Sequence, residues 1–205
     1  SSQGTTLYII DRETGKTEQR SMDSFFTFHH VNAYEGEDSI VMDLVEFEDS
    51  EVVQQLFFDT LDSRSTITEN GSLVRYRIKN TEISKTSLYM GIEMPQINRS
   101  RHSLKHRYVY GQATAREGRD GIVKVDTDTG EFQEWWEEDT HMQEPIHVQK
   151  EGIEDSGVLL STGLDKQADK SFILVLDSSN MEELGRAYLP FKMPFGFHGK
   201  FYSDL

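Results

Sequence analysis

Cysteine is absent from the 205-residue sequence. That excludes disulfides, thiolate zinc sites and a cysteine nucleophile, and it suits a reducing, cytoplasmic setting. No apolar run reaches the length needed to cross a bilayer. The opening SSQGTTLYII has no basic region of the signal-peptide kind and enters a strand almost at once, as the middle of a longer protein would. Basic residues are few, 21 against 36 acidic ones, for a formal charge of −15. Such a surface repels nucleic-acid phosphates, so no nucleic-acid partner is expected. It also repels anionic lipid headgroups, which leaves only an apolar patch as a route to peripheral membrane contact. No nucleophile elbow, P-loop, dinucleotide fingerprint or HExxH helix is found.

What is present is apolar and aromatic enough to fold: 36% of residues are hydrophobic and 11% aromatic. The length suits one domain. Three apolar strands end in an aspartate, at Asp11, Asp126 and Asp177, and each is followed by a polar turn and a second strand. Aspartate at a turn start bonds its own backbone further on, and Gly or Asn takes positive φ. These are three hairpins of one design, spaced at multiples of about 50 residues, the repeat of a β-propeller blade. A β-sandwich with similar turns is the alternative. Further strands are expected at 39–48, 73–78, 107–114 and 157–164, a helix at 51–61 with the stripe Val53, Leu56, Phe57 packed on the core, a loop at 62–72 and a short helical turn at 181–184.

Chemistry is expected at two distant stretches. FFTFHHVNAYE (25–35) sets His29 and His30 in an aromatic run, and MPFGFHGKFY (193–202) sets His198 between Phe197 and Gly199. An imidazole in a dry aromatic strand needs a partner at each ring nitrogen, and a metal is one such partner. Satisfied core histidines are the plain alternative. His30 faces away from His29 if the segment is a strand. His102 and His106, in the basic stretch SRHSLKHR, are read as solvated, and so is His141; His147 is left open. Glu93 and Glu144 each stand near a proline in an apolar stretch, and a ligating histidine usually hands its second N–H to a carboxylate. Glu46, Glu48, Glu134, Glu137 and Glu138 are read as wet faces.

Seven stretches carry a resemblance: FHHVNAYE (28–35), EMPQIN (93–98), RYVYG (107–111), EPIHV (144–148), GVLLS (157–161), ILVLDSSNMEELGRAYLP (173–190) and PFGFHGKF (194–201). In this order they resemble the carotenoid cleavage oxygenase family, its animal-type carotene oxygenase branch in particular, and they span almost the whole chain. The resemblance implies an all-β fold, part of a seven-bladed β-propeller with short helical insertions and Fe(2+) on its axis, held by four histidines. It assigns two metal ligands here, His29 in F-H-x-x-N and His198 in F-H-G. It makes Glu93 and Glu144 the carboxylates behind them, without saying which serves which, and places Phe47 and Phe197 along a substrate tunnel. His147 stands where the family is usually apolar and receives no role.

The family's other two iron ligands lie in an N-terminal half that has no counterpart here. Residues 1–205 are therefore expected to be the C-terminal portion of a single oxygenase domain, completed by the N-terminal blades of the same protein, which would also supply any membrane-facing patch. The activity implied for the complete protein is cleavage of a conjugated C=C bond of a carotenoid or apocarotenoid by O2. Retinyl-ester isomerohydrolysis, stilbene-type alkene cleavage or a non-catalytic binding role are the alternatives. The isolated chain is expected to be inactive and unstable.

Overall fold

The alternating stretches become strands throughout the computed structural model, which describes residues 4–57 and 70–203. The described chain is all-β apart from one turn of helix, α1 (Glu51–Gln55), and a 3-10 turn (Arg99–Arg101). Strands β1 (Thr5–Ile10) and β2 (Thr17–Met22) form a two-stranded ribbon. A four-stranded antiparallel meander follows: β3 (His30–Glu35), β4 (Ile40–Glu46), β5 (Ser72–Lys79) and β6 (Glu82–Met90). A second meander holds β7 (Ile92–Gln96), β8 (Tyr108–Ala113), β9 (Gly121–Asp126) and β10 (Phe132–Trp135). The last sheet holds β11 (Thr140–Met142), β12 (Ile146–Gln149), β13 (Gly157–Asp165), β14 (Lys170–Asp177) and β15 (Glu183–Tyr188), with β11 and β12 both paired to β13. Successive meanders of this kind, packed face to face, are how propeller blades are built.

The expected hairpin design is present. Asp11 accepts from the Thr14 amide, Asp126 from those of Asp128 and Thr129, and Asp177 from that of Ser179. In each turn the residue four beyond the aspartate has positive φ: Gly15, Gly130 and Met181. The third is a correction to the sequence reading, since Met181 and not Asn180 takes the strained position, and its side chain is buried in the core. The expected helical turn at 181–184 is instead this turn and the start of β15. The meander lacking the design closes β5–β6 with the pair Asn80-Thr81, Asn80 having positive φ, a tight hairpin connection. Of the expected helix, five residues form; its buried side is Val52 and Gln55, while Leu56 and Phe57 are exposed. Residues 58–69 lie outside the described residues.

Three apolar clusters lie within and between the sheets. Fully buried Leu44, Leu73, Ile92, Ile122 and Leu174 each contribute about 1.5–3 kcal/mol by leaving water. Among them lies a buried ion pair. Arg75 on β5 faces Asp43 on β4 and donates Nε to Oδ1 at 2.8 Å and Nη2 to Oδ2 at 2.7 Å; Nη1 reaches the Thr127 carbonyl at 3.2 Å in the neighbouring sheet. Burial opposes ionisation of Asp43, and its hydrogen bonds with Arg75 and His106 outweigh that cost, so its carboxyl titrates below the usual range.

His106 therefore corrects the sequence reading. It is fully buried, with Nε2 2.9 Å from Asp43 Oδ2, whereas His102 is exposed. His141 is half-buried and bonded to Asp120 at 2.7 Å. His147 is buried, stacked on Tyr110 with centroids 5.1 Å apart, and neither ring nitrogen has a hydrogen-bond partner. Glu46 and Glu134 are not wet faces either, because they accept from Tyr76 and Tyr89.

Two outcomes follow. Arg75→Ala leaves the Asp43 carboxylate buried and unpaired and is expected to cost about 3–5 kcal/mol, read by urea denaturation; a loss under 1 kcal/mol would contradict the buried pairing. Burial holds the His147 imidazole below its usual range, so the unfolded chain takes up a proton below about pH 6.5 that the folded chain refuses. Stability is lost as pH falls through that point, with a slope of at most about 1.4 kcal/mol per pH unit. His147→Phe is expected to remove this loss, so its advantage over the parent protein grows between pH 7.5 and 5.5; an equal difference at both pH values would refute it.

Candidate metal centre

The site is built where three inner segments break their pairing. Glu93 lies in β7, whose register against β8 shifts between Glu93 and Gln96, with Met94 at φ 50° and Pro95 unable to donate a ladder bond. Glu144 lies between β11 and β12, where Pro145 interrupts what would otherwise be one strand along β13. β3 carries a bulge between His30 and Asn32. A bulge bends a strand and re-aims a side chain, and here both glutamates and His29 converge.

His29 sits just before β3, its carbonyl accepting from the Val45 amide at 2.9 Å. Its Nδ1 is 2.6 Å from Glu93 Oε2, which also accepts from the Met94 amide at 2.6 Å. His198 Nδ1 is 3.1 Å from Glu144 Oε1, and Glu144 Oε2 accepts from the Gly199 amide at 2.7 Å. Glu93 thus serves His29 and Glu144 serves His198. The two Nε2 atoms then face each other at 3.3 Å, the rings crossing at 84°. Nitrogens bound to one cation at about 2.1 Å, at an angle between square and tetrahedral, stand about 3.0–3.4 Å apart. The donor chemistry fits as well: carboxylates hold the Nδ1 protons, which leaves Nε2 lone pairs to bind. The Glu93 hydrogen bond raises the His29 pKa above its usual range, against the opposing effect of burial. Among the described residues no third His, Asp or Glu completes a metal-holding group. Two imidazoles can hold half of a four-histidine set.

The surroundings depart from the sequence reading in one respect. The His29 side chain is 22% exposed and Glu144 only 4%, but His198 is 56% exposed, and it lies in an irregular strap, not in a strand. That strap is tied down by the Met193 amide on Ser171 and the Gly196 amide on Gln143. Phe197 is 72% exposed and lies at the open side of a cavity beside His198, whereas Phe47 is buried. Phe47 meets Phe28 edge-on at 5.7 Å, and Phe28 meets Phe26 at 4.8 Å. These rings wall the His29 side. His30 points away and is exposed. Beside His198 a cavity of about 400 Å3 opens between the strap and the last sheet, lined by Ile146, Leu160, Ile173, Met193 and Phe201.

Two site residues escaped the sequence reading. Gln96 donates to Glu144 Oε1 at 2.6 Å, linking the carboxylates' segments. Asn32 holds the segment beyond Glu93, with Nδ2 on the Arg101 and Leu104 carbonyls and Oδ1 on the Ser103 amide. Both stand inside the motifs EMPQIN and FHHVNAYE, at polar positions of otherwise apolar stretches, and that was the available signal. Among the described residues no helix is long and apolar enough to cross a membrane.

Comparisons with known proteins find relatives along almost the whole chain. The chain is 30% identical to human beta,beta-carotene 15,15'-dioxygenase over 98% of its own length and 44% of that protein. It is 31% identical to a carotenoid dioxygenase of Neurospora crassa, over 97% of this chain and 40% of that one, and 30% identical to the torulene dioxygenase of Fusarium fujikuroi, over 93% and 40%. It spans less than half the length of these relatives. Cobalt-substituted Synechocystis apocarotenoid oxygenase superposes with a TM-score of 0.83 at 22% identity, over 95% of this chain and 43% of that one; at that identity the likeness is one of fold. The family described as retinal pigment epithelial membrane protein matches residues 1–203. With relatives of that identity along its whole length, the chain belongs to this family of carotenoid oxygenases.

Proposed function

We propose that this chain is the C-terminal portion of an Fe(2+)-dependent oxygenase that cleaves a conjugated C=C bond of a carotenoid or apocarotenoid into two carbonyl products. The observation that carries the reading is the pair of Nε2 atoms 3.3 Å apart with each Nδ1 on its own carboxylate. Without a cation, two lone pairs would oppose each other there or share one proton. The remaining two imidazoles come from a part of the protein outside this chain, which also completes the seven-bladed propeller. Relatives spanning more than twice this length support that, and a fold neighbour that accepts cobalt supports a metal at such a centre. The relatives' names, all dioxygenases, favour cleavage over isomerohydrolysis.

Bound Fe(2+) supplies a redox-active Lewis acid at which O2 can be used, one oxygen atom ending in each carbonyl product. The residues do the rest. Glu93 and Glu144 keep the Nδ1 protons of His29 and His198, which fixes tautomer and ring angle. They also return negative charge near a centre whose direct ligands are neutral. Phe26, Phe28 and Phe47 exclude water and offer ring faces and edges to a polyene. The apolar cavity beside His198 is wide enough for part of a long hydrocarbon. Phe197 already lines that cavity on its open side, which the missing blades would cover.

In the complete protein, His29→Ala and His198→Ala are each expected to lower bound iron at least 10-fold and to abolish formation of carbonyl products from a carotenoid. Iron analysis and chromatography of the products check this; a variant that keeps full iron would remove that histidine from the ligand set. Residues 1–205 expressed alone are expected to bind iron poorly and to show no cleavage. A monomeric 205-residue chain with one iron per molecule would show that the other half is not needed.

A further inference from the structure

Between Gln96 and Tyr108 the chain leaves β7 on a long excursion before returning as β8. The segment 29–32 grips the chain here twice. His29 holds the strand it leaves from, through Glu93 in β7. Asn32 holds its far part, donating to the Arg101 carbonyl at 3.1 Å and the Leu104 carbonyl at 2.9 Å and accepting from the Ser103 amide at 2.9 Å. Asn32 Nδ2 also lies 3.1 Å from His106 Nδ1, and His106 Nε2 lies against the buried Asp43–Arg75 pair. A chain of polar contacts therefore runs from the Arg75–Asp43 pair through His106 to Asn32, and the backbone of residues 29–32 carries it on to His29.

The bulge makes the double grip possible. In a regular strand, residues three apart point to opposite faces. The extra residue, Val31, restores a common side for His29 and Asn32, and Val31 itself packs against the apolar cluster that contains Ile92 and Ile97. We propose that Asn32 is a positioning residue: by clamping residues 101–106 to β3 it keeps Glu93 aligned on His29 and so fixes the direction of the His29 Nε2 lone pair. The inference deepens the metal-centre reading and rests on it for the ligand role of His29, but the clamp itself is a property of the chain alone.

The test uses the complete protein with Asn32→Ala, Asn32→Asp and a control, Arg186→Ala. The control removes ion pairs with Glu183 and Glu137 in the last sheet, away from this site. Asn32→Ala is expected to weaken iron binding by about 10-fold in chelator competition, the lower end of what losing a partner directly behind a ligand costs, because Asn32 acts one step further out. It is also expected to speed amide exchange at Met94 as well as at Ser103. Asn32→Asp keeps an acceptor for Ser103 but sets a carboxylate oxygen against the Arg101 and Leu104 carbonyls, and should weaken iron binding at least as much as Asn32→Ala. Arg186→Ala should lower stability and leave iron affinity and Met94 exchange unchanged. Unchanged iron affinity in a folded Asn32→Ala protein, or an equal loss in the control, overturns the proposal. Should neither Asn32 variant fold, amide exchange in the unaltered protein decides: common opening of Ser103 and Met94 supports the clamp and independent opening refutes it. Parent protein that takes up no iron would sink the metal-centre reading, while the exchange data would still judge the clamp.

Discussion

An imidazole taken out of water needs a partner at each ring nitrogen, and this structure meets that need unevenly. Glu93 and Glu144 serve the Nδ1 atoms of His29 and His198. Nothing among the described residues serves the Nε2 atoms except each other, at 3.3 Å. Irregular segments deliver those four side chains: a bulge after His29, a proline within two residues of each glutamate where pairing breaks, and a strap that carries His198 back against the last sheet. Regular strands would not bring these side chains together, because regular pairing spends every position on the ladder and fixes each side chain to one face.

The sheets provide a rigid mount for those irregular segments. β4 is buried along nearly its whole length, and the bidentate Arg75–Asp43 pair adds a directional tie between neighbouring strands, with Thr127 extending it to the next sheet. A buried pair of this kind adds little net stability over apolar residues of the same size, but breaking it is costly. It lies against His106, which in turn meets Asn32 on β3, three residues beyond His29.

Much of this was legible in the sequence, and the exceptions have physical causes. Local composition singled out the histidines and glutamates, because each histidine sits in an aromatic run and each glutamate near a proline, but the choice of His29 over His30 and the roles given to all four came from the family resemblance. The hairpins were readable because Asp11, Asp126 and Asp177 bond to their own turns. His106 was not readable: its neighbours are Lys105 and Arg107, and its burial comes from Asn32 and Asp43, far away in the sequence. Arg75 alternates with apolar residues as a surface arginine would, and only its pairing across to Asp43 reveals a strand buried on both faces. Met181 occupies a turn position that Gly15 and Gly130 fill elsewhere, because there its side chain gains a place in the core that offsets the strained backbone. The exposure of His198 and Phe197 belongs with a chain that covers less than half of its relatives' length.

The account stands on one cation shared by two imidazoles. The most direct measurement is anomalous X-ray scattering at the iron absorption edge from crystals of the complete protein. The account predicts a single strong peak bonded to Nε2 of both His29 and His198, with each Nδ1 still on its glutamate. A peak elsewhere, or His29 and His198 joined by an N–H···N hydrogen bond with the iron bound by other residues, would contradict it.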